Sequence, residues 1–260
     1  MLQKAAANLV TDGTFTNVTL NAGYTGPTLT ANLFGQFGTE TGSVLTVGGW
    51  TTAGYNFVYT PGTGDSGTNA LGANAGYGTT YMWGANNGST SQSGATPTSP
   101  VLPSKSPGGG NYVAADGIYE VGALSQTING LTVGKIYSLT FYWAGAQQQS
   151  FTSATKESWT VTLGTGVHST STVSTVAEGF SGWMQTTMYF YATSTSETLS
   201  FLAVGTPGCE PPFCLLANVD LESVPDVSNW MIFTGFGAAC IVFESLRRRR
   251  RRQGELASAV

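Results

Sequence analysis

Five carboxylates in this chain are of the kind that can hydrolyse glycosidic bonds: Asp12, Asp65, Asp116, Glu120 and Asp220. That chemistry needs two carboxyl groups flanking one oxygen, and their separation in space decides the outcome. Sequence spacing does not pair them. Their bland role is to cap turns or to hold a structural calcium through oxygen ligands. Nucleophilic triads would have to run through His168, the single histidine, and no G-x-S-x-G elbow accompanies it. An exposed strand histidine is the expected state of His168. One histidine and three scattered cysteines do not make a zinc set. Gly62-Thr63-Gly64-Asp65-Ser66-Gly67 fits G-x-G-x-x-G, but Thr68-Asn69-Ala70-Leu71-Gly72 follows with no helical period, so the match is compositional. No cofactor is expected.

The elements that must position these residues are strands. Charged residues make up 9% of the 260, hydrophobic residues 41%, and 35 are Gly. Such a chain has the apolar content for a core and lacks the Glu, Lys and Arg of long helices. Period-2 alternation puts Tyr137, Leu139, Phe141 and Trp143 on one face. Trp159, Val161 and Leu163 alternate likewise, as do Leu199, Phe201 and Ala203, then Met184, Met188 and Phe190, and finally Ala217, Val219 and Leu221. Asn129-Gly130, Val133-Gly134, Gly164 to Gly166 and Gly179 to Gly182 mark turns between them. The spacing predicts an all-β, jelly-roll-like antiparallel β-sandwich over residues 8–224. Asp12 and Asp220 are the pair read as ligands of a structural calcium, because first and last strands of jelly rolls often lie together. Residues from about 60 to 110 are Gly-, Ser- and Pro-rich loop, with Tyr77, Tyr81 and Trp83 expected to dock part of it on the sandwich.

The strand from Tyr137 runs out into Trp143-Ala144-Gly145-Ala146-Gln147-Gln148-Gln149. Sugars stack on aromatic rings and have their hydroxyls read by amides and carboxylates. Trp143, Gln147 and Gln148, with Asn111 and Asp116 from a neighbouring strand, are therefore the expected glycan site. The competing reading is that Trp143 shares a face with Leu139 and Phe141 and belongs to the core. Cys209 and Cys214, in Cys209-Glu210-Pro211-Pro212-Phe213-Cys214, are expected to form a disulfide in an exported loop. Cys240 is read as an ordinary small residue of the apolar tail.

Charge is divided sharply along the chain. Residues before Trp230 hold four lysines against twelve acids, a charge of −8, while all six arginines sit at Arg247 to Arg252. A body so short of cations cannot neutralise a phosphate backbone, which excludes nucleic acid as its partner. From Trp230 to Leu246 runs a largely apolar segment of 17 residues, as a helix roughly 26 Å long and at the lower edge of a membrane span. The arginine block orients it with the acidic body outside and Trp230 at the outer interface.

This tail resembles a known signal. Val224-Pro225-Asp226-Val227-Ser228-Asn229-Trp230, the Gly-containing apolar segment and Arg247, Arg248, Arg249 and Arg250 together look like a PEP-CTERM sorting signal of the Trp-containing subtype. The resemblance implies membrane anchoring and processing by exosortase, a membrane peptidase. Asp226 and Val227 replace the Glu and Pro of the pattern, and residues 253–260 extend beyond the arginines. Residues 225–252 are assigned to the anchor, 253–260 to a tail, and 1–7 to the remnant of an export signal or a disordered start. Further upstream, Asn8-Leu9-Val10-Thr11-Asp12-Gly13-Thr14-Phe15 is similar to the opening strand of galactose-binding-like jelly rolls. Gly110 to Gly117, Tyr137 to Gln149, Gly182 to Met184, Leu199 to Gly205 and Leu216 to Val224 resemble strands of exported proteins bearing the same tail. That resemblance implies an extracytoplasmic protein linked to exopolysaccharide or biofilm, and it carries over no catalytic residue.

The expected protein is an exported, surface-anchored, noncatalytic component of the extracellular matrix, structural or polysaccharide-binding. The alternative is a glycan-active hydrolase using two of the carboxylates above. Removing residues 230–260 should release a soluble body from the membrane fraction. Full-length protein that fractionates as soluble while still carrying its intact tail would rule the anchor out.

Overall fold

The computed structural model describes residues 7–22, 34–65, 70–71, 80–84 and 105–225. The chain divides into two units, Met1–Val224 and Pro225–Val260. All described strands lie in the first. Trp230 and Arg247 to Arg250, together with the rest of the tail beyond Pro225, lie outside the described residues. Among the described residues there is no helix, and fourteen strands fall in three sheets: a large and a small one that form an all-β sandwich, and a separate two-stranded one from the first and third strands.

The early strands are short: β1 (Val18–Leu20), β2 (Phe34–Gln36), β3 (Leu45–Val47), β4 (Asn56–Tyr59) and β5 (Ala70–Leu71). From β6 (Tyr112–Asp116) the strands lengthen: β7 (Leu124–Asn129), β8 (Ile136–Gln147), β9 (Thr155–Leu163), β10 (Gly166–Ser169) and β11 (Val173–Thr175). Three more, β12 (Met184–Tyr191), β13 (Ser196–Thr206) and β14 (Pro212–Ser223), complete the fold. The large sheet has the order β12-β8-β14-β6-β4-β2-β5, and the small one β10-β9-β13-β7 with β11 also on β9. Successive strands from β6 to β14 alternate between the sheets, apart from β9 to β11, which stay in the small one. This winding is jelly-roll-like, as the turn spacing predicts.

The inter-sheet layer holds the residues that the alternation selects. Tyr137, Leu139, Phe141 and Trp143 of β8 face Trp159, Val161 and Leu163 of β9 and Leu199, Phe201 and Ala203 of β13. Phe201 takes Phe141 and Trp159 edge-on, with centroids 5.1 and 5.9 Å away. Each buried indole finds an acceptor: Trp159 Nε1 donates to the Leu215 carbonyl at 3.1 Å, and Trp143 Nε1 to Thr186 Oγ1 at 2.9 Å. Unpaired, either N–H would cost about 1–3 kcal/mol.

One grouping read from the sequence is corrected. Ala217, Val219 and Leu221 do not share a face, because the β14 register shifts between Ala217 and Asp220 and Asn218 has a positive φ of 50°. Before this bulge the even residues Cys214 and Leu216 face inward; after it the odd residues Val219 and Leu221 do. Ala217 belongs to a second layer, on the outer face of the large sheet. The N-terminal segment lies along the bulged part of β14, with Leu9 N–H donating to the Leu221 carbonyl and Val219 N–H to the Gly13 carbonyl. A Cβ on Gly13 would collide with the Val219 carbonyl, so only Gly allows this approach.

The second layer makes the large sheet buried on both faces at one end. Tyr55, Phe57, Tyr59, Tyr112, Phe213 and Leu215 pack there under Met82. Residues 81–83 run along the end of β8, through Trp83 N–H to the Gln147 carbonyl (3.0 Å) and Gln149 N–H to the Tyr81 carbonyl (2.8 Å). The loop region thus docks as expected, with Met82 fully buried and Tyr81 half-buried; Tyr77 lies outside the described residues.

Alternation also carries one acid inward. Glu157 precedes Trp159 by two residues and is fully buried between the sheets, where its Oε2 accepts the Thr175 hydroxyl at 2.6 Å. Its Oε1 has no partner. Burial pushes this carboxyl from 4.5 up to about 7, against the opposing pull of the Thr155 and Thr175 hydroxyls. The folded state therefore holds the proton more tightly than the unfolded chain. Its stabilising contribution is complete below about pH 4.5 and is lost as pH rises through about 7. Glu157→Gln should melt higher than the parent above pH 7 and match it near pH 4.5 in thermal scans. Equal melting temperatures above pH 7 would show that the ionised carboxyl carries no penalty.

Candidate functional site

β6 and β8 end at the same edge of the outer layer, and the pleat decides what they present there. Ala114 faces outward on β6, so Asp116 does too; Ala144 and Ala146 face outward on β8, so Gln148 follows. Between these ends and the β13–β14 turn lies a cavity of about 480 Å³. Its lining takes Asp116, Ile118 and Tyr119 from the end of β6 and the turn after it, Tyr55 from just before β4, and Gln148 and Phe151 from beyond β8. Gly208, Cys209 and Pro211 of the β13–β14 turn complete the rim.

The cavity wall is set by a turn that closes on Asp116. Its Oδ1 accepts the N–H of Ile118 (2.8 Å) and of Tyr119 (3.1 Å), and Glu120 adopts a positive φ of 41°. The Tyr119 ring stands edge-on to Tyr55, with centroids 5.3 Å apart at 88°, and remains 45% exposed. Asp116 itself is only 2% exposed, and its Oδ2 has no hydrogen-bond partner. Burial pushes the carboxyl from 3.8 up to about 6, although the Tyr119 and Ile118 N–H groups favour its ionised form. The site thus combines an apolar ring open to solvent with a buried acceptor in need of a donor.

Two of the five residues expected to bind a glycan line this cavity: Asp116 and Gln148. Three do not. Trp143 is 1% exposed and belongs to the inter-sheet core, so the core reading prevails over the platform reading. Gln147 is fully buried on the inward parity, where its amide donates to the Ser153 carbonyl and Glu210 and accepts the Glu178 N–H. Asn111 is buried and donates to the Phe15 carbonyl at 2.7 Å. All three support the fold. Tyr119, Tyr55 and Phe151 are the lining residues that sequence reasoning missed. The available signal was Ile118-Tyr119 between Gly117 and Gly122, an apolar pair in a turn with no core to enter.

Asp12, read with Asp220 as a calcium ligand, has backbone partners of its own. The N-terminal segment does lie beside β14, but the Asp12 carboxylate closes its own loop by accepting the N–H groups of Thr16 (2.8 Å) and Asn17 (2.9 Å). Among the described residues no group of three or more His, Cys, Asp or Glu converges as a metal site. The carboxylates Asp12, Asp65, Glu120 and Asp220 lie outside the cavity lining, where Asp116 is the sole acid. A two-carboxylate glycosidase needs its pair about 5–9.5 Å apart across the substrate. His168 is exposed on β10, with Nε2 3.1 Å from the Tyr189 carbonyl and its ring edge-on to Phe190.

The expected disulfide is absent: Cys209 and Cys214 are free thiols. Cys209 is exposed in the turn, with φ of 70°, while Cys214 on β14 points into the inter-sheet layer toward the carbonyls of Ser158 and Val204. Burial pushes the Cys214 thiol well up. The thiols are held apart because Pro212 already pairs with Gln147, so β14 has begun before the loop could turn back. Iodoacetamide on native protein followed by peptide mapping should modify Cys209 and spare Cys214 until denaturant is added. A Cys209–Cys214 linked peptide would overturn this.

No family model and no curated protein matches the chain. A solved structure of TmCBM61 in complex with β-1,4-galactotriose is 13% identical, over 68% of this chain and 90% of its own, with a TM-score of 0.34. The non-crystalline cellulose specific carbohydrate-binding module CBM28 is 12% identical over 74% and 99%, with a TM-score of 0.30. The N-terminal cellulose-binding domain from Cellulomonas fimi β-1,4-glucanase C is 15% identical over 45% and 80%, with a TM-score of 0.28. At TM-scores of this size the likeness carries no argument about what this chain binds. The cavity has to carry it.

Proposed function

We propose that this chain is a noncatalytic, surface-anchored protein that binds a non-acidic polysaccharide in the cavity beside Tyr119. The observation that carries the proposal is the meeting of the exposed Tyr119 ring, the Gln148 amide and the Asp116 carboxyl group in the lining of one cavity. Sugar rings offer apolar faces that stack on aromatic rings, and hydroxyls that need acceptors and donors at fixed places. A volume of about 480 Å³ falls within the range of roughly 300–1,000 Å³ of small-molecule sites.

The charge supports a non-acidic ligand. The lining holds no Lys, Arg or His, and the body carries −8, so a polyanion would be repelled both at long range and at contact. A single carboxylate in the lining supports binding over hydrolysis. Placement outside the cell rests on the tail: the apolar segment from Trp230, the arginines and the likeness to a PEP-CTERM signal. In this reading the membrane and an exosortase-type peptidase are its first partners, and exopolysaccharide its lasting one.

Calorimetry against a panel of non-acidic polysaccharides tests the site. Tyr119→Ala should weaken binding about tenfold, the value of one stacked ring, and Gln148→Ala should weaken it at unchanged melting temperature. Gln147→Ala should instead destabilise by about 1–3 kcal/mol, since it strands the Glu178 N–H. Binding that survives in the Tyr119 and Gln148 variants would place the site elsewhere.

A further inference from the structure

We propose that the end of the sandwich from which the chain leaves toward its tail is a membrane-contacting surface, seated on the interfacial zone of a phospholipid bilayer, with the cavity held outward at the opposite end. The inference rests on the anchor reading above and deepens it by naming the body's own contact with lipid. Val224 marks the exit, where its N–H donates to the Ile136 carbonyl at 2.9 Å. Five residues separate Val224 from Trp230 in the sequence. Even a fully extended chain of that length spans only about 20 Å, so an anchor beginning at Trp230 keeps the exit end close to the bilayer.

Exposed apolar side chains surround that exit. Tyr191 of β12 lies opposite Ile136 of β8, and Tyr189 opposite Ser138. Tyr137 and Phe190 take the inward positions, so Ile136, Tyr189 and Tyr191 share the outer face, at 47%, 60% and 58% exposure. A Cβ on Gly134 would lie 3.4 Å from the Tyr191 hydroxyl, which brings that ring over the turn where Val133 is 57% exposed. Single exposed apolar residues are ordinary on any surface. Four in one patch beside the exit mark a surface with a partner. Tyrosine suits a lipid partner, because its ring favours the acyl boundary and its hydroxyl the headgroups.

The acids agree with this orientation, since pressing carboxylates against lipid is costly. Asp116 lines the cavity, Glu120 meets the Tyr55 N–H, and the Glu178 N–H and Glu210 carboxylate both bond to Gln147. Among the described residues the acids at the exit end are Glu222, half-buried on β14, and Glu197, which is buried and accepts the Thr193 and Ser194 N–H groups. The β8–β14 ladder joins the two ends. Its exit end lies at Ile136 and its cavity end at Gln147, twelve residues or roughly 36 Å along β8.

The test places one fluorophore at either end of the full chain in phosphatidylcholine vesicles, whose lack of net charge isolates the apolar contact. In a Cys240→Ser background, nitrobenzoxadiazole is attached to Cys209, the exposed thiol at the cavity rim. A second protein carries it through Val133→Cys, with Cys209→Ser and Cys240→Ser; buried Cys214 is spared in both. A spin-labelled lipid should quench the Val133→Cys label at least threefold more than the Cys209 label. Combining Ile136→Thr, Tyr189→Thr and Tyr191→Thr should cut that quenching at least threefold at near-parental melting temperature, because threonine keeps the strand preference. Quenching unchanged in this variant would overturn the assignment to these side chains, and the comparison of the two labels stands without it. Equally weak quenching of both labels on vesicle-bound chain would overturn the contact and leave the anchor standing. Strong quenching of both would overturn the outward cavity. A chain that does not float with the vesicles removes the anchor and this inference with it.

Discussion

The antiparallel ladder between β8 and β14 runs from Pro212 opposite Gln147 to Ser223 opposite Tyr137, through the middle of the large sheet. Each strand is twelve residues long, and their side chains alternate strictly between two buried layers at one end. A slip of one residue would send Trp143 out of the core and Ala144 into it. Both indoles between the sheets depend on this register, since Trp159 donates to a β14 carbonyl and Trp143 to a residue on the other neighbour of β8. The bulge at Asn218 then reverses the parity of β14, which lets the N-terminal segment close along its outer half.

The same register builds the cavity. Outward parity on β6 and β8 delivers Asp116 and Gln148 to one edge of the outer layer, while inward parity commits Gln147 to holding the Ser153 and Glu178 backbone. Residues 81–83 pair with the end of β8 and cover the aromatic layer, but the cover does not close over Tyr119. A sheet buried on both faces thus keeps one wet corner. The buried Asp116 carboxyl group borders it, held by the Ile118 and Tyr119 N–H groups of the turn that it closes.

The two buried acids illustrate different uses of similar chemistry. Glu157 sits between the sheets, closed off from solvent, with a threonine hydroxyl on one oxygen. Nothing in its surroundings suggests access, and its effect is on stability. Asp116 has a comparable burial and a similarly raised affinity for its proton, yet it borders a cavity with an exposed ring. Burial alone does not separate a structural acid from a functional one; the neighbouring open volume does.

Much of this was legible in the residues alone. Alternation identified the inward faces of β8, β9, β12 and β13, and low charge with frequent Gly identified an all-β chain, because the pleat has a fixed period of two whatever the tertiary context. The same period, extended four residues past Trp143, would have placed Gln147 inside and Gln148 outside. It failed on β14, where one extra residue at the bulge shifts the phase and no local signal announces it. Asp116 and Gln148 were within reach of sequence reasoning, and the apolar pair Ile118-Tyr119 between two glycines was a signal, but nothing local brought Tyr55, Tyr119 and Phe151 together. They come from three loops or strands far apart in the chain and meet only because β4, β6 and β8 belong to one sheet. The free thiols follow the same rule: spacing brings Cys209 and Cys214 close along the chain, but the pairing of Pro212 with Gln147 sends one thiol into the core and leaves the other in solvent. Residue type and period determined the layers. Only the pairing of distant strands decided which side chains share a cavity, because that pairing is a property of the whole sheet.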